Sequence, residues 1–157
     1  MSIKAQPLTA EAFAPYGSVL TARGDELQRD EYAGQVESLR PAAKPNLTFM
    51  KVNPKPTQAT VLERHPFSHQ LFVPMNAARF LVCVCPSDDN GDPIFDKLEV
   101  FLTNGRQSVN YNVNVWHGPL HVLFAPGEFT MLRWDDGTEG DIELRDLPAP
   151  VDVELPD

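Results

Sequence analysis

Fifteen prolines and nine glycines are scattered along these 157 residues, and that scatter limits the fold more than any other feature. Proline removes a backbone donor and clashes with the preceding helical turn, so long helices cannot run through such a chain. Short strands parted by tight turns tolerate the same residues at edges, ends and bulges. The one clear helix signal is early. Thr9 can cap AEAFAPYG, Glu11 lies in the first turn, Gly17 is a stop, and Pro15 limits the helix to about two turns.

Strand-like segments follow: SVLTA after Gly17, VESLR and LTFMKVN around the turn PAAKPN, TQATVLERHP, and HQLFVPM. ARFLVCVCP (78–86) is the most continuously apolar piece and predicts a core strand buried on both sides. KLEVFLTNG, RQSVNYN, WHGPLHVLFA and EFTMLRW complete the run, parted by Asn-Gly, Asn-Val-Asn and Pro-Gly turns. The charged stretch 23–35 predicts a loop with a helical turn, and SDDNGDP (87–93) a solvated turn, since EF-hand spacing is absent. Roughly nine or more short strands with one short helix predict an all-β barrel or sandwich around a single core.

The length suits one domain over 1–157, with the acidic, proline-rich 145–157 as a C-terminal arm. A formal charge of −9 without a basic stripe excludes sequence-independent binding to nucleic acid or anionic membrane. No apolar run approaches a membrane span, and the N-terminus lacks a secretory core, so the expected compartment is the cytoplasm. Cys83 and Cys85 point to one face of an apolar strand and are expected as small buried hydrophobes, not ligands.

Chemistry gathers in LERHPFSHQLFVPM (62–75) and FLTNGRQSVNYNVNVWHGPL (101–120). Glu63 and His65 are two apart, so an extended strand projects both to one side and Arg64 to the other. Pro66 breaks the register, after which either His69 or Gln70 can return to the same cavity. His117 begins a strand after the Asn112–Asn114 turn, and His121, four further on, falls on the same face of that strand. A shell of His65, Gln70 and His117, with Glu63 beside them, mixes nitrogen and oxygen donors. It suits a borderline divalent ion such as nickel, zinc, iron or manganese. Burial is expected to raise Glu63 toward neutrality and make it a proton-transfer group. Trp116 is expected in the core or a pocket wall, and Asn104-Gly105 as a hairpin turn.

ExHxxxxQ (Glu63, His65, Gln70) and NxNxxH (Asn112, Asn114, His117) resemble the two motifs of the cupin superfamily. ERHP, QLFVPM and TNGRQSVNYNVNVWHGPL resemble more closely the ureidoglycolate lyase family, and PLTAEAFAPYGSVL is similar to that family's opening. The resemblance spans nearly the whole chain. It implies a cupin-like β-barrel, a double-stranded β-helix with one short N-terminal helix. It further implies a lyase that releases urea and glyoxylate from ureidoglycolate in allantoin and purine degradation.

On that reading His65, His117, Glu63 and Gln70 are the catalytic candidates, and His65, Gln70 and His117 the ligands of a divalent metal, nickel or zinc. Arg64 or Arg133 would clamp the substrate carboxylate, with Asn104 and Tyr111 as further substrate-binding candidates. A homodimer is expected, because a barrel of this size leaves a sheet edge to be paired. Two departures from the family pattern stand out. Glu63 and Gln70 replace the usual His and Glu of the first cupin motif, and Gly118 stands where the family often has a second histidine. Two other classes fit the same residues: another cupin enzyme acting on a small hydroxy or keto acid, or a non-catalytic barrel that binds a small acid.

Overall fold

The computed structural model describes residues 2–22, 27 and 29–156. In chain order the elements are β1 Ser2–Lys4, β2 Gln6–Pro7, α1 Ala10–Phe13, β3 Gly17–Leu20, β4 Lys44–Val52, β5 Gln58–Arg64 and β6 Gln70–Pro74. They continue as β7 Phe80–Cys85, β8 Glu99–Leu102, β9 Ser108–Tyr111, β10 Trp116–His117, β11 His121–Val122, β12 Gly127–Asp135 and β13 Glu143–Glu154. One sheet has the order β1-β13-β5-β10-β7-β8-β2, with β11 also on β7, and the other runs β3-β9-β6-β12-β4. The two sheets pack into a nearly closed cupin-like β-barrel with one short helix.

Alternation along β7 shows how the barrel is filled. Phe80, Val82 and Val84 point between the sheets and pack with Phe72, Val109 and Phe129 from the opposite sheet. Leu81, Cys83 and Cys85 point outward to a second cluster with Leu62, Trp116 and Val153. All six residues of the strand are buried, as its continuous apolarity predicts. Both cysteines are buried and free. Burial pushes the Cys85 thiol up to about 11 and Cys83 to about 12, which leaves them apolar packing groups.

Prolines sit where strands can bear them. Pro45 lies on β4, an edge strand, and Pro148 and Pro150 fall in the register shift of β13 between Asp146 and Val151. The tail read as an arm thus runs through Glu154 as β13, antiparallel to β5 and parallel to β1. Leu147, Val151 and Val153 are buried while Asp152 and Glu154 are exposed, an alternation hidden by the intervening prolines. The segment 36–40 is not a strand. Pro41 follows it directly, and only Ser38 bridges Ser68, flanked by the Leu39 N–H on the Phe67 carbonyl and the His69 N–H on the Glu37 carbonyl. Part of the stretch 23–35 lies outside the described residues; its described portion includes a 3-10 turn at Ala33–Gln35.

The helix is shorter than its signals suggest, one turn rather than two. Thr9 caps it by accepting the Ala12 N–H at 3.1 Å. Its buried Phe13 meets Phe101 edge-on at 6.1 Å and Tyr111 at 5.8 Å, which ties the helix to the barrel centre. The chain then enters β3 through Gly17, which pairs with Tyr111. A Cβ on Gly17 would collide with the Asn110 carbonyl and touch the Phe13 ring. Gly17→Ala should therefore cost roughly 3 kcal/mol in a denaturant titration, near the upper end for a single substitution. A cost under ~1 kcal/mol would show that β3 and β9 can part without penalty.

Candidate functional site

Two cross-strand pairs, one from each sheet, form the polar centre. In the first sheet β10 inserts between β5 and β7 and sets His117 opposite Glu63. In the second, β6 and β9 set Gln70 opposite Tyr111. Neighbours across a ladder project to the same side, so each pair presents two side chains to the space between the sheets. His65 follows directly after β5, and its carbonyl accepts the Asn114 N–H at 2.8 Å. Asn114 adopts a positive φ of 67°, which lets the Asn112–Asn114 turn close beneath His65.

The pairs meet at His117. Its Nε2 lies 2.9 Å from Gln70 Oε1 and 3.4 Å from Glu63 Oε1, its Nδ1 2.9 Å from the Val115 carbonyl, and its ring stacks on Tyr111 at 4.0 Å. Every contact on its two nitrogens is an acceptor, an arrangement satisfied by a proton on each. The His65 ring stands 5.6 Å from that of His117. His65 Nδ1 donates to the Asp141 carbonyl at 2.6 Å, while its Nε2 is buried without a partner among the described residues. Ligand atoms of Glu63, His65 and His117 all lie within 4.8 Å of one another. These three residues could hold a metal ion, and the unpartnered His65 nitrogen supports that fit.

Electrostatics separate the roles. Burial pushes the Glu63 carboxyl up, but the hydrogen bond and charge of His117, with His65 and Arg133, outweigh it and hold Glu63 below the ordinary carboxylate range. That corrects the expectation of a carboxyl raised toward neutrality: Glu63 is an anion. His65 is shifted down, first by burial and then by the charge of His117, against the opposing pull of the Asp141 carbonyl and Glu63.

Gln70, not His69, faces the cavity. His69 is turned outward, its Nδ1 against the Glu37 backbone at 3.2 Å. His121 does not join the group either. Gly118-Pro119 interrupts the strand after His117, and His121 Nε2 instead meets the Lys55 carbonyl at 3.2 Å. Arg133 acts on Glu63 through its charge, and its Nε is buried without an acceptor among the described residues. Two expected substrate contacts are not brought to this centre. Arg64 is committed on the opposite face, with Nη2 2.7 Å from Glu143, Nη1 donating to the Gly91 carbonyl, and its guanidinium over the Trp116 ring at 4.5 Å. Asn104 holds its hairpin turn, its Oδ1 accepting the Arg106 N–H at 2.9 Å. Trp116 is fully buried in the outer cluster, with Nε1 donating to Gly91.

Sequence reasoning missed Asp141 and Arg40, which back His65 from behind. The Asp141 carboxylate accepts from the Phe67 N–H at 2.8 Å, from Ser68 Oγ, and from Arg40 Nη2 at 3.2 Å. Neither residue belongs to a spaced motif, so nothing in the order of residues marks them. Gly118 is also constrained: a Cβ there would lie 2.9 Å from the Cys83 Cβ.

Fold and site together define a cupin-like β-barrel enzyme with a buried His/Glu/Gln centre between its sheets. A family model described as ureidoglycolate lyase matches residues 1–154. The chain is 38% identical to a ureidoglycolate lyase of Brucella anthropi, over 81% of this chain and 79% of the relative. It is 35% identical to one of Mesorhizobium japonicum, over 87% and 88%, and 34% identical to one of Chelativorans, over 99% and 98%. The chain belongs to the ureidoglycolate lyase family.

The shifts of His65 and Glu63 give an acid sensitivity of definite sign. His65 binds its proton less readily when folded than at its ordinary 6.5, so below that value the unfolded chain binds more protons and stability falls with pH. Glu63, depressed from 4.5, contributes stability that is present above that value and lost as the pH falls on through its folded pKa. Melting temperatures should decline from neutral pH downward in two stages. His121, also depressed by burial, shares the first decline, so His65→Gln should remove part of it, and an undiminished decline in that variant would assign it to other groups.

Proposed function

We propose that this chain cleaves ureidoglycolate into glyoxylate and urea, as the names of its relatives and the chemistry of the centre support. The observation that carries the reading is the meeting of His65, His117, Glu63 and Gln70 between the sheets. The reaction is the collapse of a carbinolamine. The hydroxyl loses a proton, its oxygen becomes the aldehyde carbonyl, the C–N bond breaks, and the departing urea nitrogen takes a proton.

The site supplies one group for each need. His65 Nε2, buried with its lone pair free, accepts the hydroxyl proton. His117, with acceptors at both nitrogens, delivers a proton to the leaving nitrogen, and the Glu63 carboxylate stabilises the charged ring. Gln70 orients the substrate through its amide, and Tyr111 keeps the His117 ring from turning. Arg133, with an unused buried N–H, clamps the substrate carboxylate. In an alternative to these acid–base roles, a divalent ion such as nickel or zinc would be held by Glu63, His65 and His117 in place of the His117 proton and the His65 lone pair, and would polarise the hydroxyl and carboxylate oxygens as a Lewis acid.

The test is urea release from ureidoglycolate above the spontaneous rate. His117→Ala should lower kcat about 100- to 10,000-fold with an unchanged circular dichroism spectrum. Arg133→Ala should raise KM about 10- to 100-fold. Full activity in His117→Ala would discard the assignment.

The same reading includes a homodimer in the cytoplasm, with no nucleic-acid partner. Support for the dimer lies in β4, a nine-residue edge strand with Leu47 57% and Phe49 67% exposed. Among the described residues no helix is long and apolar enough to cross a membrane. Sedimentation velocity should give a dimer, and the double variant Leu47→Glu/Phe49→Glu a monomer. A wild-type monomer would overturn this assembly.

A further inference from the structure

Asp141 lies outside the two motifs, yet it holds His65 from two directions. Its main-chain carbonyl faces His65 Nδ1 at 2.6 Å. Its carboxylate grips the chain immediately after that histidine, through the Phe67 N–H at 2.8 Å and Ser68 Oγ. Arg40 completes the clamp: Nη2 is 3.2 Å from Asp141, and Nη1 2.7 Å from Asp136. His65, Ser68 and Asp141 are all buried, so water does not compete for these bonds.

We propose that Asp141 is a positioning residue that sets the tautomer of His65, keeping hydrogen on Nδ1 and the lone pair on Nε2 directed into the site. A carbonyl oxygen can only accept, so a ring held 2.6 Å from it must carry the proton on that nitrogen. The alternative tautomer would oppose two lone pairs at that distance and put the N–H on the nitrogen that has no partner. The carboxylate makes this preference rigid. It fixes the position of its own carbonyl against the 65–68 turn, so ring and carbonyl cannot drift apart. Arg40 balances the buried Asp141 carboxylate and is itself anchored by Asp136 nearer the surface.

This inference rests on the reading of His65 as a proton acceptor or metal ligand, because either role needs a bare Nε2. The tautomer itself is measured without substrate, so it is tested separately from that reading. Long-range 15N–1H correlation spectra, recorded well above the usual histidine titration range, should show His65 of the wild type as the Nδ1–H form. In Asp141→Ala the signal should move to the Nε2–H form or an exchanging mixture. Urea release should fall about 10- to 100-fold in kcat, with KM nearly unchanged. Asp141→Asn, which retains one accepting oxygen, should recover part of both effects. Ser68→Ala removes one of three anchors and should shift the same signal by less, which keeps the test decisive if Asp141→Ala does not fold. A wild-type Nε2–H form overturns the proposal, as does an unmoved tautomer in the Asp141→Asn and Ser68→Ala variants. A wild type that releases no urea but behaves as described in the spectra would overturn the substrate reading and leave the clamp standing.

Discussion

The hydrogen bond between His117 and Gln70 joins the two sheets at a fully buried polar point, and the geometry of the centre follows from it. For that bond to form, β5 and β10 must be in register at Glu63 and His117, and β6 and β9 at Gln70 and Tyr111. A slip of one residue in either sheet would turn its polar pair out of the barrel and put apolar side chains in their place. The bond therefore works as a register mark for both ladders, while the surrounding aromatic residues supply the apolar burial. Phe13, Phe72 and Tyr111 pack edge to face around it, so the polar centre is embedded in rigid rings.

Burying ionisable groups together is costly unless each has a partner, and the partners here are distributed unevenly. His117 has an acceptor at every polar contact, whereas His65 is satisfied on one nitrogen alone. That inequality separates two side chains of identical chemistry. One is dressed as a donor; the other keeps an open lone pair. Glu63 stays ionised in spite of its burial, held so chiefly by the hydrogen bond and charge of His117.

Much of the fold was legible because apolar alternation and turn residues agree along most of the chain. ARFLVCVCP, the Asn-Gly turn and the Thr9 cap each encode their structure locally. Parity on β5 also placed Glu63 and His65 together and Arg64 apart. The reading weakened where long-range contacts decide. His121 shares parity with His117 only while the strand continues, and Gly118-Pro119 ends it. The charge on Glu63 depends on His117, a residue 54 positions away that no local pattern couples to it. The C-terminal strand was obscured by prolines that fall within its register shift. Asp141 acts through a backbone carbonyl, which has no residue signature at all.

The tight approach of Gly118 to the neighbouring strand sets how closely the chain can pass after β10. A Cβ there would press on the Cys83 Cβ, an atom that every residue but glycine carries, so exchanging the thiol for another side chain would make no room. The missing side chain at 118 is thus a spacer of zero thickness, and a histidine in its place would need the two backbones to part.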